Sequence, residues 1–547
     1  MRVIVVNPDT RNDLGAEGNP ALLDVICMTS KKSLVFLVLC ILTAAVVLSA
    51  GCIGNSDSDM GNTLVYAGEA TDTINPILDT HGEIVSLVFN GLMKYDGNAN
   101  PVVDIAESYT YDAASKTYTF NLRKGVAWHD GEKFTADDVK FTYDVLMYDE
   151  TVSTSIRSNY LDIESVTAMD DYTIVIKMKD DNAGMLGHFT VGILPEHLMK
   201  GKDISTDSFN QNPIGTGKYK FVEWDTAGGM VIFEKNTDYF GKVPNIDRVI
   251  YKTVSVESTK ATMLSTGEAD LAWLNANYAK TFRGNSNYKN IDFKTADYRA
   301  MSMDFRTEFW QRNGDSIGVL NYALDKDAIV AGVLDGRGVT AFSPMQLNEY
   351  GGNPAADIYP YDLKKFHSEM EKLGWKKGSD GIYERNGEKF HFTIQVRGHE
   401  EERIDIANIC AKMLKEQGVD MEIVVVTKFD WTAGYNGFLS GYATEFDPDV
   451  MYASYVTGGS DNTMQYSNAK VDELLEKARH ENNPEKRKAI YWEFEKVYSE
   501  TPGVVVVAYL DGNYVSIAGL DGLDTTRVLG HHAVGVMWNI EEWTLSK

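Results

Sequence analysis

Ser316 lies in Gly314-Asp315-Ser316-Ile317-Gly318, a run that satisfies the G-x-S-x-G pattern of a nucleophile elbow, where a sharp strand-to-helix turn exposes a serine for acyl transfer. That chemistry needs an apolar strand ahead of the serine, and Glu308-Phe309-Trp310-Gln311-Arg312-Asn313 is not one. A helix beginning near Asp315 or Ser316 fits the run better, with Val319, Leu320, Ala323 and Leu324 on one face and Lys326 near its end. The histidines form no metal pattern. His399-Glu400 opens no HExxH, and the adjacent His531 and His532 would point to opposite faces of a strand. Gly215-Thr216-Gly217 permits a tight turn before a strand, but no helix follows to cradle a phosphate. Cys27, Cys40, Cys52 and Cys410 share no ligand spacing and build no disulfide framework. The expectation is a protein with no catalytic constellation, resident metal or cofactor, one that binds and does not transform.

The elements that would position a binding site are those of an α/β protein. Tyr118, Phe120 and Leu122 alternate with polar residues, the period of a half-buried strand. After the Trp128-His129-Asp130-Gly131 turn, Thr135-Ala136-Asp137-Asp138 reads as a capping box for a helix with Val139, Tyr143, Leu146 and Met147 on one face. Further on, Phe390, Phe392, Ile394 and Val396 alternate as a strand, a helix containing Ile406, Ile409, Cys410, Met413 and Leu414 runs to a stop at Gly418, and Met421 to Val426 is a second strand. This is a βαβ unit, so its two strands are expected to be parallel, with Cys410 an inert core thiol. Asn483 can cap a helix with Pro484 at its first position and Ile490, Phe494 and Val497 on the buried stripe. Val504 to Tyr509 returns as a strand.

The chain has 547 residues, too many for one core, and a net charge of −27 from 79 acidic and 52 basic residues. That surplus argues against nucleic acid as a partner and for a solvated acidic surface, and it also tilts a cleft toward amines. Lys31-Lys32, the apolar run Leu34 to Leu48 and Ser49-Ala50-Gly51-Cys52 have the charged start, short apolar middle and small-residue end of a secretory signal. The run is shorter than the roughly 20 apolar residues a transmembrane helix needs. Its ending resembles a lipoprotein processing box, with Ser49 where Leu is usual, so lipid is expected on Cys52. Residues 1–27 are expected to be a non-native extension, 28–51 the signal peptide, and 52–62 a flexible tether on the outer face of the cytoplasmic membrane.

The block Pro101 to Asp144, together with Asn75-Pro76, Asn90-Gly91-Leu92-Met93, Tyr95-Asp96-Gly97, Asn212 to Tyr219, Asn236 to Gly241, Pro244 to Asp247 and Gly267 to Leu271, resembles in content and order the family 5 solute-binding proteins, the extracytoplasmic receptors of peptide and nickel ABC importers. The resemblance covers the chain from about Thr63 nearly to its end. It implies two α/β lobes around a hinge, a periplasmic-binding-protein type II-like fold with an inserted third domain. Residues 63–88, 186–296 and 506–547 would form lobe I, 89–185 the insert and 297–505 lobe II. It further implies a monomer that closes on a peptide or other small solute and delivers it to ABC permease and ATPase subunits.

Site residues follow from the same resemblance. In peptide-binding relatives an aromatic is followed three residues later by an acid that pairs with the ligand's α-amino group, just before a "DP" or "EP" turn. Placed on Gly441-Tyr442-Ala443-Thr444-Glu445-Phe446-Asp447-Pro448-Asp449, this makes Tyr442 the aromatic and Glu445 the anchor, with Asp447 a second candidate for that role. Trp431 resembles a cleft-lining aromatic, and Trp273, Tyr278, His81 and Tyr509 are candidates by nearness to family landmarks. No residue is assigned to receive a ligand carboxylate. A nickel-type receptor would keep the Phe446 spacing, but His188 to Pro195 lacks the arginine that such relatives carry there. A sugar receptor, a chemosensory receptor and a secreted hydrolase are competing readings of the same chain.

Overall fold

The structure is a computed structural model, and it describes residues 4–5, 62–69, 71–78, 82–346, 352–353, 359–443, 447–531 and 535–547. Cys52, the signal and most of the tether lie outside the described residues, as do His81, Glu445, Phe446 and His532. Among the described residues no helix is long and apolar enough to cross a membrane.

Two long antiparallel strands, Tyr288–Met303 and Val504–Ile517, tie the molecule together. Tyr288 to Lys294 pairs with Asp511 to Ile517, and Tyr298 to Ser302 pairs with Val504 to Tyr509. The ladder breaks between Lys294 and Tyr298, where Thr295 Oγ1 donates to Leu510 O at 2.7 Å and accepts the Asp297 N–H at 3.0 Å. On one side of this break the sheet continues through Leu271–Trp273, Thr63–Gly68, Arg248–Thr253, Met230–Lys235 and Tyr219–Asp225. On the other it continues through Gly437–Ala443, His391–Arg397, Asp420–Val426 and a short Ile4–Val5 edge. Two strands passing from one half to the other through an interrupted ladder make the hinge of a two-lobed fold. Val504–Ile517 lies centrally in the sheet, and its stretch from Val504 to Leu510 is buried throughout, which is why that half reads as an unbroken apolar run.

The first lobe shares one continuous core with a smaller unit. That unit is a four-stranded antiparallel sheet, Ala106–Asp112, Thr117–Leu122, Thr173–Met178 and Ile163–Asp170, covered by the helix Ala136–Tyr148. Tyr118, Phe120 and Leu122 are its buried face. The capping box forms, with the Thr135 N–H donating to Asp138 Oδ2 at 2.9 Å. His129 then couples this unit to the Gly215-Thr216-Gly217 turn, since its N–H donates to Gly215 O at 2.8 Å and its ring contacts Gly217 O at 3.1 Å. Both glycines are there for close approach: a Cβ on Gly215 would lie 1.8 Å from Val88 O.

The second lobe has separate cores. His391–Arg397, the helix Glu401–Gln417 and Asp420–Val426 form the expected parallel βαβ unit, with Gly418 stopping the helix at φ +97°. Cys410 is fully buried, and burial pushes its thiol up to about 12. Asn483 caps Pro484–Glu500 as expected. The helix expected from Asp315 to Lys326 is instead two 3-10 segments, Gly314–Ser316 and Gly318–Ala323, the second ended by extended Leu324. Lys326 begins the next helix, Lys326–Val333, because Asp325 caps it and the buried Lys326 Nζ donates to Asn321 Oδ1 at 2.8 Å and Ala341 O at 2.6 Å.

Candidate ligand-binding cleft

A cavity of about 610 Å³ lies between the lobes, at the carboxyl ends of parallel strands from both. Strand ends collect a site here because backbone and loops there are free to diverge around a ligand. On the first-lobe wall Glu69 follows Thr63–Gly68, Tyr251 nears the end of Arg248–Thr253, and Trp273 ends Leu271–Trp273. On the second-lobe wall Arg397 ends its strand, Glu400 to Arg403 open the following helix, Phe429 and Trp431 follow Asp420–Val426, and Ser440 to Tyr442 lie in Gly437–Ala443.

The first wall is acidic. Lys260, fully buried, bridges Glu69 at 2.5 Å and Glu257 at 3.0 Å, and its Nζ lies 5.0 Å from the centroid of the Trp273 ring. Burial would lower this lysine, but the two carboxylates hold it up. Glu83 accepts from Tyr66 and, at 3.3 Å, from Tyr514; burial pushes its carboxyl up to about 8 against those hydrogen bonds.

The second wall pairs cations with carboxylates. Arg299 donates to Asp297 at 2.7 Å and Glu402 at 3.2 Å, and the His531 ring meets the same Asp297 oxygen at 2.8 Å. Burial works against ionised Asp297, yet Arg299 and His531 hold its carboxyl well below the carboxylate range. Glu400 Oε1 takes Arg397 at 2.5 Å and Arg403 at 2.9 Å. Burial, reinforced by Arg299, lowers Arg403 to about 10. Glu400 Oε2 and Arg397 Nε are buried without a hydrogen-bond partner among the described residues, an acceptor and a donor side by side in the wall. Asp461 accepts a hydroxyl, Ser454 Oγ at 2.8 Å, and burial pushes its carboxyl up to about 6.

Of the residues named from sequence, Trp273, Trp431 and Tyr442 line this cavity. Trp431 is 37% exposed and packs on Phe429 and Phe438, with Arg306 over its ring. The Tyr442 hydroxyl meets Thr463 Oγ1 at 2.9 Å. Tyr509 is a correction: its strand is central, so its ring is fully buried and its hydroxyl donates to Ser343 O at 2.7 Å. Asp447 is also a correction. Both its oxygens accept from Arg487, at 2.5 and 2.6 Å, and it is not among the residues that line this cavity. Asp449 does likewise, taking Arg479 at 2.9 and 2.8 Å and His188 of the first-lobe side at 2.8 Å. The partners of this Asp-Pro-Asp run lie on distant elements, which sequence spacing does not reveal. Arg299, Arg397, Arg403, Glu83, Glu400 and Asp461 were missed. For Arg397 a signal existed, since it ends the first strand of a recognisable parallel βαβ unit.

Ser316 is fully buried, with its hydroxyl donating to Asp315 at 3.0 Å and accepting the Trp375 indole N–H at 2.8 Å, so it is a packing residue. Among the described residues no group of three or more His, Cys, Asp or Glu could hold a metal ion.

The chain matches the model of the bacterial extracellular solute-binding proteins, family 5, over residues 100–471. The oligopeptide-binding protein AppA of Bacillus subtilis is 27% identical over 560 residues, covering 95% of this chain and 100% of AppA. Among solved structures, NikZ of Campylobacter jejuni in complex with Ni(L-His) has a TM-score of 0.82 at 33% identity, covering 88% of this chain and 99% of NikZ. AppA of B. subtilis with a nonapeptide has a TM-score of 0.79 at 26% identity, covering 89% and 99%. Such proteins bind peptides or nickel chelates for ABC import and are not enzymes. The two-lobed architecture, the interlobe cavity and these matches agree: the chain belongs to the bacterial extracellular solute-binding proteins, family 5.

Proposed function

We propose that this protein is the lipid-anchored receptor of an ABC importer, capturing an oligopeptide or another amine-bearing small solute by lobe closure and presenting the closed form to the permease. The observation that carries the reading is the charge of the cleft. Its arginines are matched by Asp297, Glu400 and Glu402, while Glu83 and Asp461 are held by hydroxyls. A buried carboxylate in that setting gains most from a ligand ammonium, which restores the charge partner lost on leaving water. Asp461 lines the cleft with Thr463, the partner of the Tyr442 hydroxyl, and is proposed as an anchor together with Glu445, the acid to which the family resemblance points. Arg397, whose Nε has no hydrogen-bond partner among the described residues, is the candidate for a ligand carboxylate or carbonyl in the cleft.

A second reading has its own support. His399 and His531 both line the cleft, and NikZ was solved with Ni(L-His), so an amino-acid nickel chelate is the competing ligand. Titration calorimetry of solute-free protein with short alanine peptides, their N-acetylated forms and Ni(L-His) separates the two. Saturable one-to-one heats from free peptides, lost on acetylation, support the proposal; binding of Ni(L-His) alone refutes it in favour of the chelate.

A further inference from the structure

We infer that a second chamber beside the cleft receives the anionic end of the ligand, so that an elongated solute spans two compartments of opposite character. This rests on reading the first cavity as the ligand cleft. The chamber holds about 420 Å³, and Gly82 lines both spaces. Glu83 and Ile84 face the cleft while Val85 and Ser86 face the chamber, so the short stretch from Gly82 to Ser86 is the partition between them. The walls include Asn159 and Tyr160 from the smaller unit and Val450 from the second lobe. Val450 directly follows Asp449, whose carboxylate joins His188 across the lobes, so the same closure that completes the cleft completes the chamber.

The lining chemistry differs from that of the cleft. Lys94, Lys218 and Arg527 line the chamber with Asp104 as the lone lining carboxylate among the described residues, in a protein whose net charge is −27. Lys94 Nζ is 3.4 Å from Asp104 and half exposed, so it can turn to a second anion. Lys218 donates to Trp538 O at 3.1 Å and to Glu541, and the Arg527 guanidinium lies 5.7 Å from the centroid of the Trp538 ring. A local surplus of cations draws an anion.

A separate observation points to a ligand of peptide type. Asn159 Oδ1 and Trp538 Nε1 are buried and have no hydrogen-bond partner among the described residues, and Asn159 is only 7% exposed. Buried polar atoms of native proteins are rarely left so. One acceptor and one donor are what the N–H and C=O of peptide units satisfy. The solute is therefore an extended chain with amide groups and a terminal carboxylate, its ammonium in the acidic cleft and its carboxylate among Lys94, Lys218 and Arg527.

The test uses the full-length protein freed of bound solute and an equimolar mixture of alanine peptides from two to six residues, each as free acid and as C-terminal amide. Captured peptides are counted by mass spectrometry. The longer free acids should be enriched over their amides by about tenfold, the low end of what a charge-assisted hydrogen bond contributes, whereas dipeptides, too short to pass Gly82, should show no such preference. Lys94→Gln and Arg527→Gln should each reduce the ratio of acid to amide and together abolish it. Because the ratio is internal to each variant, partial unfolding does not mimic the result, and Lys94→Gln alters a half-exposed side chain. Longer peptides captured with no preference, a preference already present in dipeptides, or one retained by the double variant would overturn the chamber assignment. Capture of no peptide in any form would instead overturn the peptide reading of the cleft.

Discussion

Replacing Asp461 with asparagine keeps the side chain's shape and its acceptor for Ser454 Oγ while removing the charge. Burial raises its carboxyl from the usual 3.8 to about 6, equivalent to about 3 kcal/mol against the charged form. Since the folded value exceeds the unfolded one, this penalty is absent below 3.8, grows as pH rises and is complete above about 6. Asp461→Asn should therefore stabilise the unliganded protein at about pH 7.5 by up to ~3 kcal/mol, and the gain should fade toward about pH 4. Ligand binding should move the other way. An ammonium left without its carboxylate in a closed cleft typically costs about 2 to 5 kcal/mol, so affinity should drop by tens-fold or more. Thermal melting across pH measures the first effect and calorimetry with an amine-bearing ligand recovered from the native protein measures the second. Opposite signs identify a binding group. A lower melting temperature with unchanged affinity would make Asp461 structural and refute the reasoning.

Asp447→Ala should destabilise by about 3 to 5 kcal/mol, because it strands the buried Arg487 guanidinium; chemical denaturation at neutral pH measures it, and a change below about 1 kcal/mol would contradict the structural role. Gly215→Ala pushes a methyl into Val88 O and should cost at least the ~1 to 3 kcal/mol of an overpacked core, again read by denaturation. Glu83→Gln should raise stability increasingly as pH climbs from 4.5 through about 8, since ionising the buried carboxyl is what it removes, and a pH-independent melting difference would count against that. Cys52→Ala should release the protein from membranes or leave its signal uncleaved, and wild-type membrane fractionation would exclude the lipid anchor.

Much of the fold was legible because its signals are local. The alternation at Tyr118, Phe120 and Leu122, the Thr135 capping box, the Gly418 stop and the Asn483 cap each depend on a few neighbouring residues. The 3-10 geometry from Gly314 to Ala323 was not, because the burial of Lys326 against Asn321 and Ala341 decides where the helix starts. The full length of Val504–Ile517 was hidden too, since its end is set by pairing with Tyr288–Met303. Of the cleft, only the aromatics at Trp273, Trp431 and Tyr442 were legible, through family resemblance. Arg299, Arg397 and Arg403 come from separate elements that meet only in the folded sheet, although Asp297 and Glu400, the acids that pair with them, lie two or three residues away in the sequence. Asp447 misled because its charge looks available in the sequence, while in the fold Arg487, on the helix Pro484–Glu500, sits against it.

Native mass spectrometry of the protein purified without added ligand tests the central claim most directly, because a solute enclosed by two lobes survives gentle transfer. A single small adduct, one per chain, whose fragments carry a primary amine and which is lost in Asp461→Asn, is the predicted result. A protein that carries no adduct, and that in the same instrument takes up neither short peptides nor Ni(L-His), would contradict it.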